Sequence, residues 1–114
     1  MSDSFEERER GYEAKWAHDE QTLFNIMAKR NSWLAQWAVE TMQLSSPEIG
    51  GYVQAVVNAG MTGKGKDPVF EKIRRDFEAR KVGCPDAVIR RKMKDLFEMA
   101  AEKDSAKSGS HPKT

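Results

Sequence analysis

The chain has 114 residues, a net charge of +1, 39% hydrophobic residues and 32% charged ones. That is enough chain for one domain with its own core and too little for two, and the near-zero net charge supplies no global field for nucleic acid or membrane. A single cysteine, Cys84, excludes a disulfide framework and fits a reducing compartment. No apolar run approaches membrane-spanning length, and the acidic start, Ser2 to Glu7, lacks the basic and apolar parts of a secretory signal. A soluble, cytoplasmic protein is expected.

The pattern predicts helices throughout. From Ser4 to Leu44 there is no proline and one glycine, Gly11. Trp16, Leu23, Trp37 and Leu44 fall at multiples of seven; Met27 and Leu34 extend that face, and Arg30 interrupts it. Composition divides the stretch. Phe5 to Asp19 is dominated by charge, with Phe5, Tyr12 and Trp16 on a narrow stripe, whereas Leu23 to Leu44 reads as a bundle helix. Asp19 is placed to cap the second part, which makes Ala17–Asp19 a candidate hinge.

Ser46 as N-cap with Pro47 at the first helical position predicts a second helix, carried by Ile49, Tyr52, Val53, Val56 and Val57 and stopped at Gly60. Gly50 and Gly51 weaken it by about 1 kcal/mol each against alanine. After a loop from Met61 to Lys66, Asp67-Pro68 starts a third helix with Val69, Phe70, Ile73 and Phe77 inward, ending near Gly83. Cys84-Pro85-Asp86 opens a fourth, with Ile89, Met93, Leu96, Phe97 and Ala100 as its stripe. Ser105 to Thr114 is small, polar and basic, and is expected to be a disordered tail. Four amphipathic helices on short connections predict an all-α four-helix bundle over 20–104, with a charged N-terminal extension, helical or partly disordered, over 1–19 and the tail over 105–114. The expected core is Leu23, Met27, Leu34, Trp37, Ile49, Val53, Val56, Phe70, Ile73, Phe77, Ile89, Met93, Leu96 and Phe97.

No catalytic constellation is legible. Gly60, Gly65 and Lys66 match the spacing of a phosphate-binding loop, but Asp67 stands where that motif needs a hydroxyl, and a helix precedes it instead of a strand. A glycine cap and a basic turn describe it better. Adjacent His18 and Asp19 point apart on a helix, His111 lies in the tail, and no second cysteine accompanies Cys84, so neither a zinc site nor a cysteine–histidine pair is expected. Arg74-Arg75, Arg80-Lys81 and Arg90-Arg91-Lys92 are interleaved with acids or lie opposite the apolar stripe, as solvated faces do. No enzyme, cofactor or metal is expected, and nucleic acid is not an expected partner.

The stretch Ser4 to Asp19 is the part a simple bundle does not explain. Glu6 and Arg10, four apart with the acid first, favour a helix by a few tenths of a kcal/mol, while Gly11 opposes it by about 1 kcal/mol. A stripe as thin as Phe5, Tyr12 and Trp16 is marginal alone in water and suited either to ordering against a partner or to simple solvation.

This stretch, Phe5-Glu6-Glu7-Arg8-Glu9-Arg10-Gly11-Tyr12-Glu13-Ala14-Lys15-Trp16-Ala17-His18-Asp19, resembles the N-terminus of the alphaproteobacterial ATPase inhibitor zeta-subunit family, typically F-D-D-R-E-R-A-F-E-A-K-F-A-H-D. Supporting similarities follow at Ala28-Lys29-Arg30-Asn31, Leu34 to Ala38, Val69 to Arg74 and Ile89 to Met93, so that the resemblance spans nearly all of residues 5–104. It implies a four-helix bundle that is not an enzyme. It implies binding to the catalytic alpha/beta and rotor subunits of the F-type ATP synthase, peripheral to the inner membrane of a bacterium without inserting into it. Phe5, Glu6, Glu7, Arg8, Glu9, Arg10, Tyr12, Glu13, Lys15 and Trp16 would then enter a catalytic interface and block ATP hydrolysis. In this chain Glu6 and Glu7 replace aspartates, Gly11 replaces an alanine, and Tyr12 and Trp16 replace phenylalanines. The other reading of the same residues is a nucleotide- or anion-responsive helical adaptor. It would bind adenine nucleotide weakly through a polar gap at Arg30 or the Gly60–Lys66 loop.

Overall fold

The computed structural model describes residues 20–63, 65 and 67–109, with side chains described up to residue 104. Four helices follow in chain order: α1 (Glu20–Met42), α2 (Ser46–Thr62), α3 (Pro68–Ala79) and α4 (Asp86–Gly109). There is no strand among the described residues. The all-α expectation holds. The last helix runs on to Gly109, past the boundary drawn at 104.

Helix ends are where the sequence reading needs correction. The N-cap of α2 is Ser45 rather than Ser46. Glu48, on the first turn, accepts hydrogen bonds from the Ser45 backbone N–H at 3.1 Å and the Ser45 hydroxyl at 3.2 Å. The first of these satisfies an amide that the helix cannot. At the other end α2 passes through Gly60 and stops at Gly63, whose N–H donates to the Ala59 carbonyl at 2.8 Å. Asp67 sits at the N-cap of α3, but its side chain does not cap; it accepts from Arg90 Nη1 on α4 at 3.1 Å. Helix α3 ends at Ala79, short of Gly83. Both α1 and α3 close on a non-glycine left-handed residue, Gln43 (φ 58°) and Lys81 (φ 59°). There the following amides turn back: Leu44 N–H to the Val39 carbonyl at 3.1 Å, and Val82 N–H to the Phe77 carbonyl at 2.9 Å. Satisfying these end carbonyls outweighs a left-handed penalty of about 1–2 kcal/mol per residue.

Helix α1 lies mainly between α2 and α4 and touches α3 least. It presents one face to each neighbour. Met42, Ala38, Ala35 and Asn31, spaced four, three and four apart, form a buried seam that reaches Gly60 of α2. Leu34 and Trp37 face the junction with α3 and α4, where the Trp37 and Phe77 rings tilt together at 5.5 Å. The main core joins all four helices: Leu34, Ala35, Ala38 and Met42 from α1, Val56 from α2, Val69, Phe70, Ile73 and Phe77 from α3, Ile89 and Met93 from α4. Among the described residues a second, smaller cluster joins Ile26 to Phe97, Ala100 and Ala101, with Leu23, Met27 and Trp33 against it. The order of contacts, Trp37 near Lys92 and Ile26 near Phe97 and Ala100, makes α1 and α4 antiparallel.

Of the expected core, Leu34, Val56, Phe70, Ile73, Phe77, Ile89, Met93 and Phe97 are fully buried. Leu23, Met27, Trp37, Ile49, Val53 and Leu96 are only partly so. Helix α2 is the least embedded; Val56 alone is fully buried in it.

Candidate functional site

The resemblance implies an effector at Phe5, Glu6, Glu7, Arg8, Glu9, Arg10, Tyr12, Glu13, Lys15 and Trp16. All ten lie outside the described residues, as does the hinge at Ala17–Asp19. What the structure describes is the platform to which they are joined. Glu20 opens α1, and the second apolar cluster begins within a turn, at Leu23 and Ile26.

One turn past Ile26 lie the two buried polar residues of the platform, Arg30 and Asn31, each 3% exposed. The heptad face that Arg30 interrupts is therefore closed to solvent there. Arg30 Nε donates to Asn31 Oδ1 at 2.9 Å, which meets part of the demand a buried guanidinium makes for acceptors. The other end of the Asn31 amide faces Gly60: a Cβ built there would stand 2.3 Å from Asn31 Nδ2 and 3.3 Å from Val69 Cγ2. Gly60 is thus the close-approach point of α1 and α2, and this use of the glycine, in place of a helix stop, was not legible without the partner helix. A weak signal existed in the small residues Ala28, Asn31, Ala35 and Ala38 at three- and four-residue spacing.

Four arginines of the basic clusters, Arg74, Arg80, Arg90 and Arg91, are tied to acids within the fold. Arg74 bridges Glu71 at 3.3 Å and Glu78 at 3.0 Å along α3. Arg91 approaches Asp95 at 3.7 Å, and Arg80 approaches Glu48 at 3.8 Å. Arg90 joins Asp67 and lies over the Phe70 ring at 3.8 Å; Lys92 lies over Trp37 at 5.8 Å. Tyr52 donates to Asp76 at 2.7 Å, and Lys72 meets the same carboxylate oxygen at 3.1 Å. Burial, reinforced by Asp76, pushes the Tyr52 phenol far above its usual range. The Glu48 carboxyl is held below its usual value, first by the Ser45 amide. Burial and then Asp86 raise the Cys84 thiol, which disfavours the nucleophilic thiolate. Among the described residues no group of three or more His, Cys, Asp or Glu is placed to hold a metal, and no helix is long and apolar enough to cross a membrane.

These features define a class: a small all-α protein whose polar groups are spent on packing and caps, carrying a charged aromatic N-terminal extension. The family model described as ATPase inhibitor subunit zeta matches residues 1–103, and the chain belongs to that family. No curated protein and no solved structure matches it.

Proposed function

We propose that this chain is a regulatory, non-catalytic subunit that binds the catalytic head of the F-type ATP synthase and blocks ATP hydrolysis. It does so by inserting residues 1–19 at a catalytic interface formed by alpha/beta and rotor subunits. The observation that carries the reading is the extent of the family match: it begins at residue 1 and takes in the whole charged aromatic segment together with the bundle. In this scheme residues 20–104 are the scaffold, and the protein works in the bacterial cytoplasm at the face of the inner membrane. Phe5, Tyr12 and Trp16 are apolar anchors, the kind of side chain in which interface energy concentrates. Arg8 and Arg10 pair with acids of the cleft; Glu6, Glu7, Glu9, Glu13 and Lys15 set its charge register. Ordering on binding costs affinity but lets a short segment enter a closing interface.

The test is ATP hydrolysis by the isolated catalytic head with the full chain and with a chain starting at residue 20, alongside co-sedimentation of each with the head. Inhibition by the full chain and none by the shortened one is the expected result. Equal inhibition by both would refute residues 1–19 as the effector, and absence of both binding and inhibition would refute the partner.

A further inference from the structure

Helix α2 is long but shallowly seated. It has 17 residues and buries one of them fully, Val56, whereas the 12 residues of α3 bury Val69, Phe70, Ile73 and Phe77. Its contact with α1 is close because the residues there are small: Ala35 and Ala38 lie on the α1 seam, and Gly60 approaches Asn31. Small side chains bring two backbones together but remove little apolar surface from water. Its polar ties to α3 are few. Tyr52 donates to Asp76 at 2.7 Å, and Glu48 meets Arg80 at 3.8 Å between exposed side chains, a pair of little weight.

Composition weakens the same helix. Gly50 and Gly51 lie in its second turn, and each shifts a helix equilibrium about fivefold against alanine. Neither has a positive φ, and a Cβ built on either meets nothing within 4 Å among the described residues. Packing explains Gly60; it does not explain these two. Val53, Val56 and Val57 add branched side chains that a helix restricts.

We propose that α2 is a detachable helix: it opens from α1 and α3 as a unit while α1, α3 and α4 stay packed, and Gly50 and Gly51 set how often. Opening withdraws Val56 from the main core but leaves Phe77 with Trp37, Leu34, Ile73 and Met93 of the other three helices. It uncovers Ala35, Ala38 and Met42 on α1. Elements that move in binding and regulation are drawn from parts of a fold that open below the global transition, and α2 is such a part.

Amide hydrogen exchange of the full-length protein in low urea tests this. The amides of Val53 to Val57 are expected to exchange faster than those of Ile73 to Phe77 and with a smaller urea dependence. Gly51→Ala should slow the α2 amides about fivefold. Ala100→Gly weakens α4 at the second cluster, which holds no α2 residue. It should speed the Ile73 to Phe77 amides about fivefold and leave those of α2 unchanged. Exchange of α2 at the rate and urea dependence of α3, equal acceleration of both helices in Ala100→Gly, or no slowing in Gly51→Ala would each overturn the proposal.

Discussion

At the end of the bundle where α1 turns into α2, apolar side chains meet from four helices; at the end where α1 begins, those of the described residues meet from two. Phe77 has Trp37 against its ring, with Leu34, Ile73 and Met93 in the same cluster, and is 1% exposed. Phe97 is equally buried, yet its cluster is Ile26, Ala100 and Ala101, with Leu23, Met27 and Trp33 at the margin. Side-chain burial alone does not separate the two. What differs is how many elements must move before each ring is released. A cluster joining four helices opens only with the global transition, whereas one joining two helix ends can open locally. The looser end is also the one that carries residues 1–19.

That contrast is open to attack by substitution. Phe77→Ala should have the largest effect, about 3–5 kcal/mol of global stability, read as a lowered urea midpoint. Phe97→Ala should cost about 3 kcal/mol or less, and its mark should be regional. Amide exchange should accelerate over residues 20–30 and 97–104 while residues 34–42 keep their protection. Uniform acceleration across α1 would show that the two clusters are one cooperative unit.

Gly60→Ala tests the seam between them. The added methyl meets Asn31, so a loss of about 1–3 kcal/mol is expected from overpacking, despite the roughly 1 kcal/mol that alanine gains over glycine in a helix. With Asn31→Ala as background the same change should become neutral or favourable. A double-mutant cycle with no coupling would remove Gly60 as the point of close approach.

Smaller effects belong to the polar ties of the four-helix end. Tyr52→Phe removes the hydroxyl that donates to Asp76 and should cost about 0.5–1.5 kcal/mol. The phenol's folded pKa is raised, so its contribution is complete below the unfolded value of about 10 and is lost as pH rises above it. Wild type should therefore lose its advantage over Tyr52→Phe in alkali. Glu48 runs the other way. Its folded pKa is depressed, so its contribution exists above an unfolded value of about 4.3 and disappears as pH falls through the lower folded one. Glu48→Gln should lower the thermal midpoint slightly at pH 7, by an amount that shrinks as pH falls below about 4.3. A difference that did not shrink on acidification would argue against the capping carboxylate as its source.

Much of this was readable in advance, for identifiable reasons. The α3 stripe Val69, Phe70, Ile73 and Phe77 is buried as its spacing implied, because a short helix with one narrow apolar face has only one way to turn. Most of the α4 stripe followed for the same reason. Helix ends were less legible: Gln43 and Lys81 take the left-handed positions that a reader assigns to glycine, while Gly60 lies inside a helix. The proposed effector residues were legible as a motif alone, since a segment with three aromatics among many charges carries its information in order and type.

The amino-acid sequence by itself determined the helical class, the inward faces of α3 and α4, and membership of the zeta family, all of which depend on local periodicity or on residue order. The tertiary structure alone decided that Arg30 and Asn31 are buried, that Gly60 is a contact and not a stop, and that the core of the described residues divides into a four-helix part and a two-helix part. Each of these depends on what lies across an interface, a partner brought near by folding from tens of residues away. A position's own neighbours in the chain hold no record of it.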